Sequence, residues 1–145
     1  MFFKEKYVKI NLGDDNMDCL FCKIVEGSIP SNTIYEDDLV KVFLDINPNT
    51  NGHMLIIPKK HIVTVEDMDE EIDARILEVK KKMYKLLKEK LNVEGLTITQ
   101  NNDLGQEVKH YHVHLIPRYK DDCWKMHFRQ DNLKDVKEVL STLTD

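Results

Sequence analysis

The stretch HYHVHLI, residues 110–116, concentrates reactive side chains: six histidines occur in the 145 residues, and three of them fall here at alternate positions. Tyr111, Val113, Leu115 and Ile116 give the run strand character. Alternation then places His110, His112 and His114 on one face and Tyr111, Val113 and Leu115 on the other. Two residues of strand rise roughly 3.3 Å each, so neighbouring imidazoles should stand about 7 Å apart. A lone histidine in such a place is usually a solvated surface residue. Three in strict alternation point instead to chemistry, either a metal site or a nucleophilic imidazole beside a phosphate.

Two further groups of residues fit that chemistry. Cys19 and Cys22 form a CxxC, with Cys123 far away, and an odd number of cysteines suits reduced thiols better than a disulfide framework. One helical turn apart, the two sulfurs can meet one ion, so the motif reads as metal or redox. The loop Gln100-Asn101-Asn102-Asp103-Leu104-Gly105-Gln106 leads into the histidine run. Its amides and the backbone N–H groups around Gly105 can bind phosphate oxygens without clustered positive charge. That matters because the net charge is -5, which argues against an extended nucleic-acid partner and makes any phosphate site local.

The elements that must position these residues follow from pattern. Leu20, Phe21, Ile24 and Val25 recur at helical spacing before Gly27, so residues 19–26 read as a short helix with both thiols at its opening turn. Thr33 to Glu36 and Leu39 to Leu44, joined by Asp37-Asp38, describe a hairpin, and residues 45–52 a loop of turn formers. His53 to Ile57 is a buried strand ended by Pro58, with Lys59, Lys60 and His61 in a connection near the sheet edge. From about Glu70 to Leu91, Ile72, Ile76, Val79, Met83, Leu86 or Leu87, and Leu91 mark a long packing helix. Acidic residues at its start and Lys88 and Lys90 at its end complement its dipole. Leu96 to Thr99 is another strand. A last helical pattern runs through Leu133, Val136, Val139 or Leu140, and Leu143, capped by Asp131 or Asn132. Cys123 and His127, without an accompanying motif, read as incidental.

Length and composition bound the whole. The chain of 145 residues fits one domain over 18–145, with a variable segment at 121–145; 41% hydrophobic and 32% charged residues are ordinary for a globular chain. Residues 1–17 are polar without a clean period and read as a poorly ordered extension, with Met17 a candidate start. No apolar run approaches a membrane span and no signal-peptide core follows Met1, so the expected address is cytoplasmic.

With HYHVHLI, the preceding GQEV, CLFCKIVEGSIP near the start, FLDINP at 43–48 and GHMLIIPKKHI at 52–62, the sequence resembles the histidine triad family of nucleotide hydrolases and transferases over about residues 18–120. The resemblance implies an α+β domain: an antiparallel sheet of about five strands, one long helix, and short N- and C-terminal helices. It implies a purine nucleotide substrate, with His112 as the nucleophile at the α-phosphorus, His114 holding the phosphate, and Gln106, Asn101, and the backbone around Gly105 and Glu107 cradling it. Leu20, Phe21, Ile24, Ile29, Phe43 and Ile46 would form the base slot, and Asp45 would accept the ribose hydroxyls. Cys19, Cys22, His61 and His110 would hold a structural Zn2+, a donor set that suits tetrahedral coordination. Relatives pair through the long helix and a sheet edge, implying a homodimer. His114 stands where the transferase branch has glutamine, which favours hydrolysis of a nucleoside phosphoramidate or related phosphoanhydride. The leaving group would lie toward the variable C-terminal segment, including Trp124. Two rivals are a metallohydrolase holding one catalytic ion on His110, His112 and His114, and a nucleotide-binding scaffold with little turnover.

Overall fold

A computed structural model describes residues 18–144; the expectation for residues 1–17 lies outside them. Along the chain come α1 (Leu20–Val25), β1 (Thr33–Glu36), β2 (Val40–Leu44), β3 (Met54–Pro58), a 3-10 turn (Val65–Asp67), α2 (Glu70–Leu91), β4 (Gly95–Gln100), β5 (Val113–Arg118) and α3 (Val136–Thr144). The five strands form one antiparallel sheet in the order β1-β2-β3-β5-β4.

Strand alternation divides the sheet's side chains between two layers. Val40 and Val42 of β2, Met54 and Ile56 of β3, and Val113 and Leu115 of β5 pack with Ile72, Ile76, Val79, Met83 and Leu87 of α2. Those α2 positions recur at three- and four-residue steps, so one apolar stripe faces the sheet along roughly 33 Å of helix. Asn92, in the left-handed conformation, ends the helix. A second cluster contains Phe21 and Ile24 of α1, Ile29, Phe43 of β2, and Leu55 and Ile57 of β3. The chemistry is built beside this second layer.

Three expectations change. The histidine strand begins at Val113, not at His110. Val113 pairs with both Ile56 and Gln100, whereas Tyr111 N donates to Ile62 O at 2.6 Å and His110 N to Val108 O at 2.8 Å. These backbone groups bind connecting segments, so His110 is released from the sheet's pleat. The connection carrying His61 leaves β3, the middle strand of the five, instead of lying near a sheet edge. At the far end, α3 starts at Val136, and Asp135 Oδ1 accepts from Lys137 N at 2.9 Å. This nearer cap replaces Asp131 or Asn132.

The turn before β3 depends on Gly52. His53 N donates to Thr50 O at 3.1 Å, and Gly52 sits at φ +91°. A side chain here would be strained by the backbone, and its Cβ would lie 2.8 Å from Leu91 Cδ1 and 2.9 Å from Leu87 Cδ2. Glycine therefore suits the turn by which the loop carrying Asp45 and His53 closes onto the end of α2.

Candidate active site and metal centre

Two groups of side chains lie next to one another around the start of β5. In the first, Cys22 Sγ is 3.2 Å from His61 Nδ1 and 3.5 Å from His110 Nδ1, and Cys19 Sγ is 3.4 Å from His110 Nδ1. Zinc–sulfur and zinc–nitrogen bonds of about 2.3 and 2.0 Å at a tetrahedral angle place S and N about 3.5 Å apart. The four donors therefore already have the spacing of a coordination shell. His110 Nε2–H donates to Pro58 O at 2.8 Å, which leaves the Nδ1 lone pair facing the thiols, as a ligand requires. A donated hydrogen bond from Cys22 lowers the Cys19 thiol pKa strongly, burial opposing it and His110 assisting; Cys22 moves the other way beside that thiolate. One sulfur is thus readily ionised.

α1 supplies the thiols because Cys19 is its N-cap, with Sγ accepting from Cys22 N at 3.4 Å. The same short helix turns Phe21 toward the second group. Its ring meets His112 edge-on at 5.1 Å and Phe43 at 5.7 Å between centroids.

In the second group the ring nitrogens are sorted by their partners. His112 Nδ1–H donates to His110 O at 2.7 Å, leaving Nε2 with a free lone pair. Burial lowers the His112 pKa, with the bond to the His110 carbonyl opposing it. His114 lies alongside, its ring 5.1 Å from that of His112, closer than flat-strand spacing predicts. Burial first, and then the neighbouring His112 and His53, push the His114 pKa down to about 4. Burial thus favours the neutral form of both imidazoles.

His53 is the functional candidate that sequence reasoning left as a strand residue. Asn49 N donates to His53 Nδ1 at 3.1 Å, so in the neutral ring Nε2 carries the proton. His53 Nε2–H then donates to His114 Nδ1 at 2.9 Å, and His114 must present an Nε2–H. Asp45 Oδ2 stands 3.6 Å from His53 Nε2, and Asp45 Oδ1 accepts from Asn47 N at 2.8 Å. The available signal was a histidine opening a buried strand immediately after a Gly turn.

Asp45, His53 and His114 also lie close enough to hold a cation. The hydrogen bond from Asn49 tells the two groups apart: it occupies Nδ1 of His53 and keeps a proton on the nitrogen a metal would need. The second group suits a hydrogen-bond chain, and the first suits a metal. A single ion on His110, His112 and His114 does not fit either. Among the described residues His110 and His114 belong to different metal-capable groups, and His112 belongs to neither.

The other expected residues are placed as follows. Phe21, Ile24, Ile29 and Phe43 are buried together, joined by Leu55 and Ile57, which the sequence reading had not included. Leu20 and Ile46 stand outside that cluster, 43% and 82% exposed. In the loop before β5, Gln106 Nε2 donates to Val63 O at 2.6 Å while Oε1 accepts from Asp103 N at 3.3 Å. One amide N–H of Gln106 is left for a ligand. Gly105 has φ +90°, and a Cβ there would lie 3.8 Å from Asn101 Oδ1. Asn101 and Glu107 are exposed, whereas Asn102 braces the loop by accepting from Val65 N at 2.8 Å. Cys123 and His127 are exposed and join no metal-capable group among the described residues. No helix there is long and apolar enough to cross a membrane.

A family model described as HIT domain matches residues 26–121. An uncharacterised HIT-like protein of Methanocaldococcus jannaschii is 42% identical over 127 residues, covering 86% of this chain and 98% of that one. An adenosine 5'-monophosphoramidase of Schizosaccharomyces pombe is 39% identical over 108 residues, covering 73% of this chain and 78% of that protein. A solved structure of a Zn-bound histidine triad family protein from Mycobacterium smegmatis superposes with a TM-score of 0.70 at 38% identity, covering 85% of this chain and 88% of the other.

Proposed function

The chain belongs to the HIT domain family, and on that premise we propose that it hydrolyses purine nucleoside phosphoramidates or related nucleotidyl phosphoanhydrides through a covalent nucleotidyl-His112. The observation that supports this reading is the 2.7 Å bond from His112 Nδ1 to the His110 carbonyl, which leaves the lone pair of the other ring nitrogen free for attack. The phosphoramidase activity named for the fission-yeast relative supports the substrate class.

The chemistry is two in-line displacements. The Nε2 lone pair of His112 attacks the α-phosphorus; the Nε2–P bond forms as the phosphorus–nitrogen bond to the leaving amine breaks, and the amine departs with a proton from water. A second water then attacks phosphorus, the Nε2–P bond breaks, and the nucleoside monophosphate is released with the water proton passing to solvent. His114 Nε2–H, the free amide N–H of Gln106 and the backbone N–H groups around Gly105 and Glu107 donate to the phosphoryl oxygens as charge grows on them. Asn101 closes the same cradle. Phe21, Ile24, Ile29 and Phe43, with Leu20 and Ile46 at the rim, flank the base, and Asp45 accepts the ribose hydroxyls.

Cys19, Cys22, His61 and His110 would hold Zn2+, and a cation shared by the four would fasten α1 to the connection after β3. The exposed edge of β4, where Ile98 is 47% accessible, and the long helix α2 serve as the contacts in a homodimer. Light scattering is expected to return twice the single-chain mass. The decisive experiment is rapid quench with adenosine phosphoramidate followed by intact-mass analysis. An adduct of one nucleotidyl unit on the native chain, absent from His112→Ala, is expected; full turnover by that variant overturns the reading.

A further inference from the structure

Two links join the groups: His110 itself, and the Phe21-Cys22 pair. His110 gives its ring to the thiols and its carbonyl to His112 Nδ1, 2.7 Å away. Cys22 reaches His61 and His110, and the residue before it, Phe21, packs edge-on against His110 at 5.9 Å and His112 at 5.1 Å. α1, which carries the thiols and this wall of the base slot, is only six residues long. A helix that short has little stability of its own, so its position is set by what its side chains grip.

We propose that the metal centre and the nucleotide site are energetically coupled through His110 and the Phe21-Cys22 pair. Filling the Cys19, Cys22, His61 and His110 set with a thiophilic divalent cation tightens purine nucleoside monophosphate binding, and the nucleotide tightens the cation by the same factor. The physical route is short. Coordination fixes the His110 ring, hence its carbonyl, hence the His112 tautomer. It also fixes Cys22, and hence the Phe21 ring against the base slot. Reciprocity is a thermodynamic requirement: if one ligand alters the affinity for the other, the reverse change has the same size. Phe21 and His110 are positioning residues in this scheme. It rests on the zinc and nucleotide assignments made above.

The test is titration of AMP into zinc-loaded and chelator-stripped protein, paired with zinc affinity measured by chelator competition with and without saturating AMP. Both affinities should rise by a common factor of about 10, within the usual range of coupling. Ring nitrogen spectra of 15N-histidine-labelled protein at neutral pH should show His112 as a single Nδ1–H tautomer when loaded and as mixed tautomers when stripped. Phe21→Leu should keep its zinc while most of the AMP-dependent change in zinc affinity, read by the same chelator competition at saturating AMP, disappears. Zinc and AMP both binding, with the same zinc affinity in the presence and absence of AMP, overturns the coupling alone. Failure of the parent reading would show differently, as no zinc uptake or no nucleotidyl-histidine adduct.

Discussion

The two histidine clusters of this protein, one built with two cysteines and the other with a carboxylate, orient their imidazoles in opposite ways. In the metal-capable group of Cys19, Cys22, His61 and His110, Pro58 O accepts from His110 Nε2–H, and the Nδ1 lone pair faces Cys19 and Cys22. In the group of Asp45, His53 and His114, Asn49 N donates to the lone pair of His53 Nδ1, so His53 and then His114 become hydrogen-bond donors. His112, between them, has its Nδ1–H tied to His110 O and keeps a nucleophilic lone pair. What separates the three arrangements is which ring nitrogen a backbone group binds.

The largest effect that could break this distinction is on His112. Replacing it with Ala should lower kcat/KM on adenosine phosphoramidate by about 10⁴-fold or more, because the bond to phosphorus is no longer made. His53→Ala should lower kcat by about 100-fold while zinc content stays unchanged, since His114 loses the donor that sets its tautomer. If zinc content falls with His53, the two clusters are not separate. Cys22→Ser should do the reverse: elemental analysis should find the zinc lost, with a fall in Tm of about 5 °C.

A gentler probe is pH. Burial lowers the pKa of His112 and His114 below 6.5, to about 4 for His114, so the folded state binds fewer protons than the unfolded one. Their contribution to stability is present above pH 6.5 and is lost as pH falls toward 4. Denaturant titrations at pH 7 and pH 5 should show the midpoint lower at pH 5; an unchanged midpoint would mean that these rings are not held neutral by burial. Smallest in reach is Gly52→Ala, expected to cost about 1–3 kcal/mol in the same titration through strain at positive φ and crowding against Leu87 and Leu91.

Much of the framework was legible before any coordinates. The α2 pattern ran from Glu70 to Leu91 because apolar side chains at three- and four-residue steps have one economical arrangement, a helix on a sheet. The CxxC, His61 and His110 were recognisable as a ligand set from residue types and resemblance, and the four donors lie together. His53 was missed because its one local signal, a histidine opening a buried strand after a Gly turn, does not say what the ring meets. That function depends on Asn49 on one side and His114, from another strand, on the other. The start of β5 was misplaced for a related reason: Tyr111 and His110 alternate like strand residues but bond to Ile62 and Val108.

By itself, the sequence determined the hydrophobic layers, the order of elements and the inventory of reactive groups, because periodicity and residue chemistry are local properties of the chain. Only the tertiary structure decided which nitrogen of each imidazole is free and which histidines work together. Those choices are made by backbone carbonyls and amides, which every residue possesses and which folding alone brings to a particular ring.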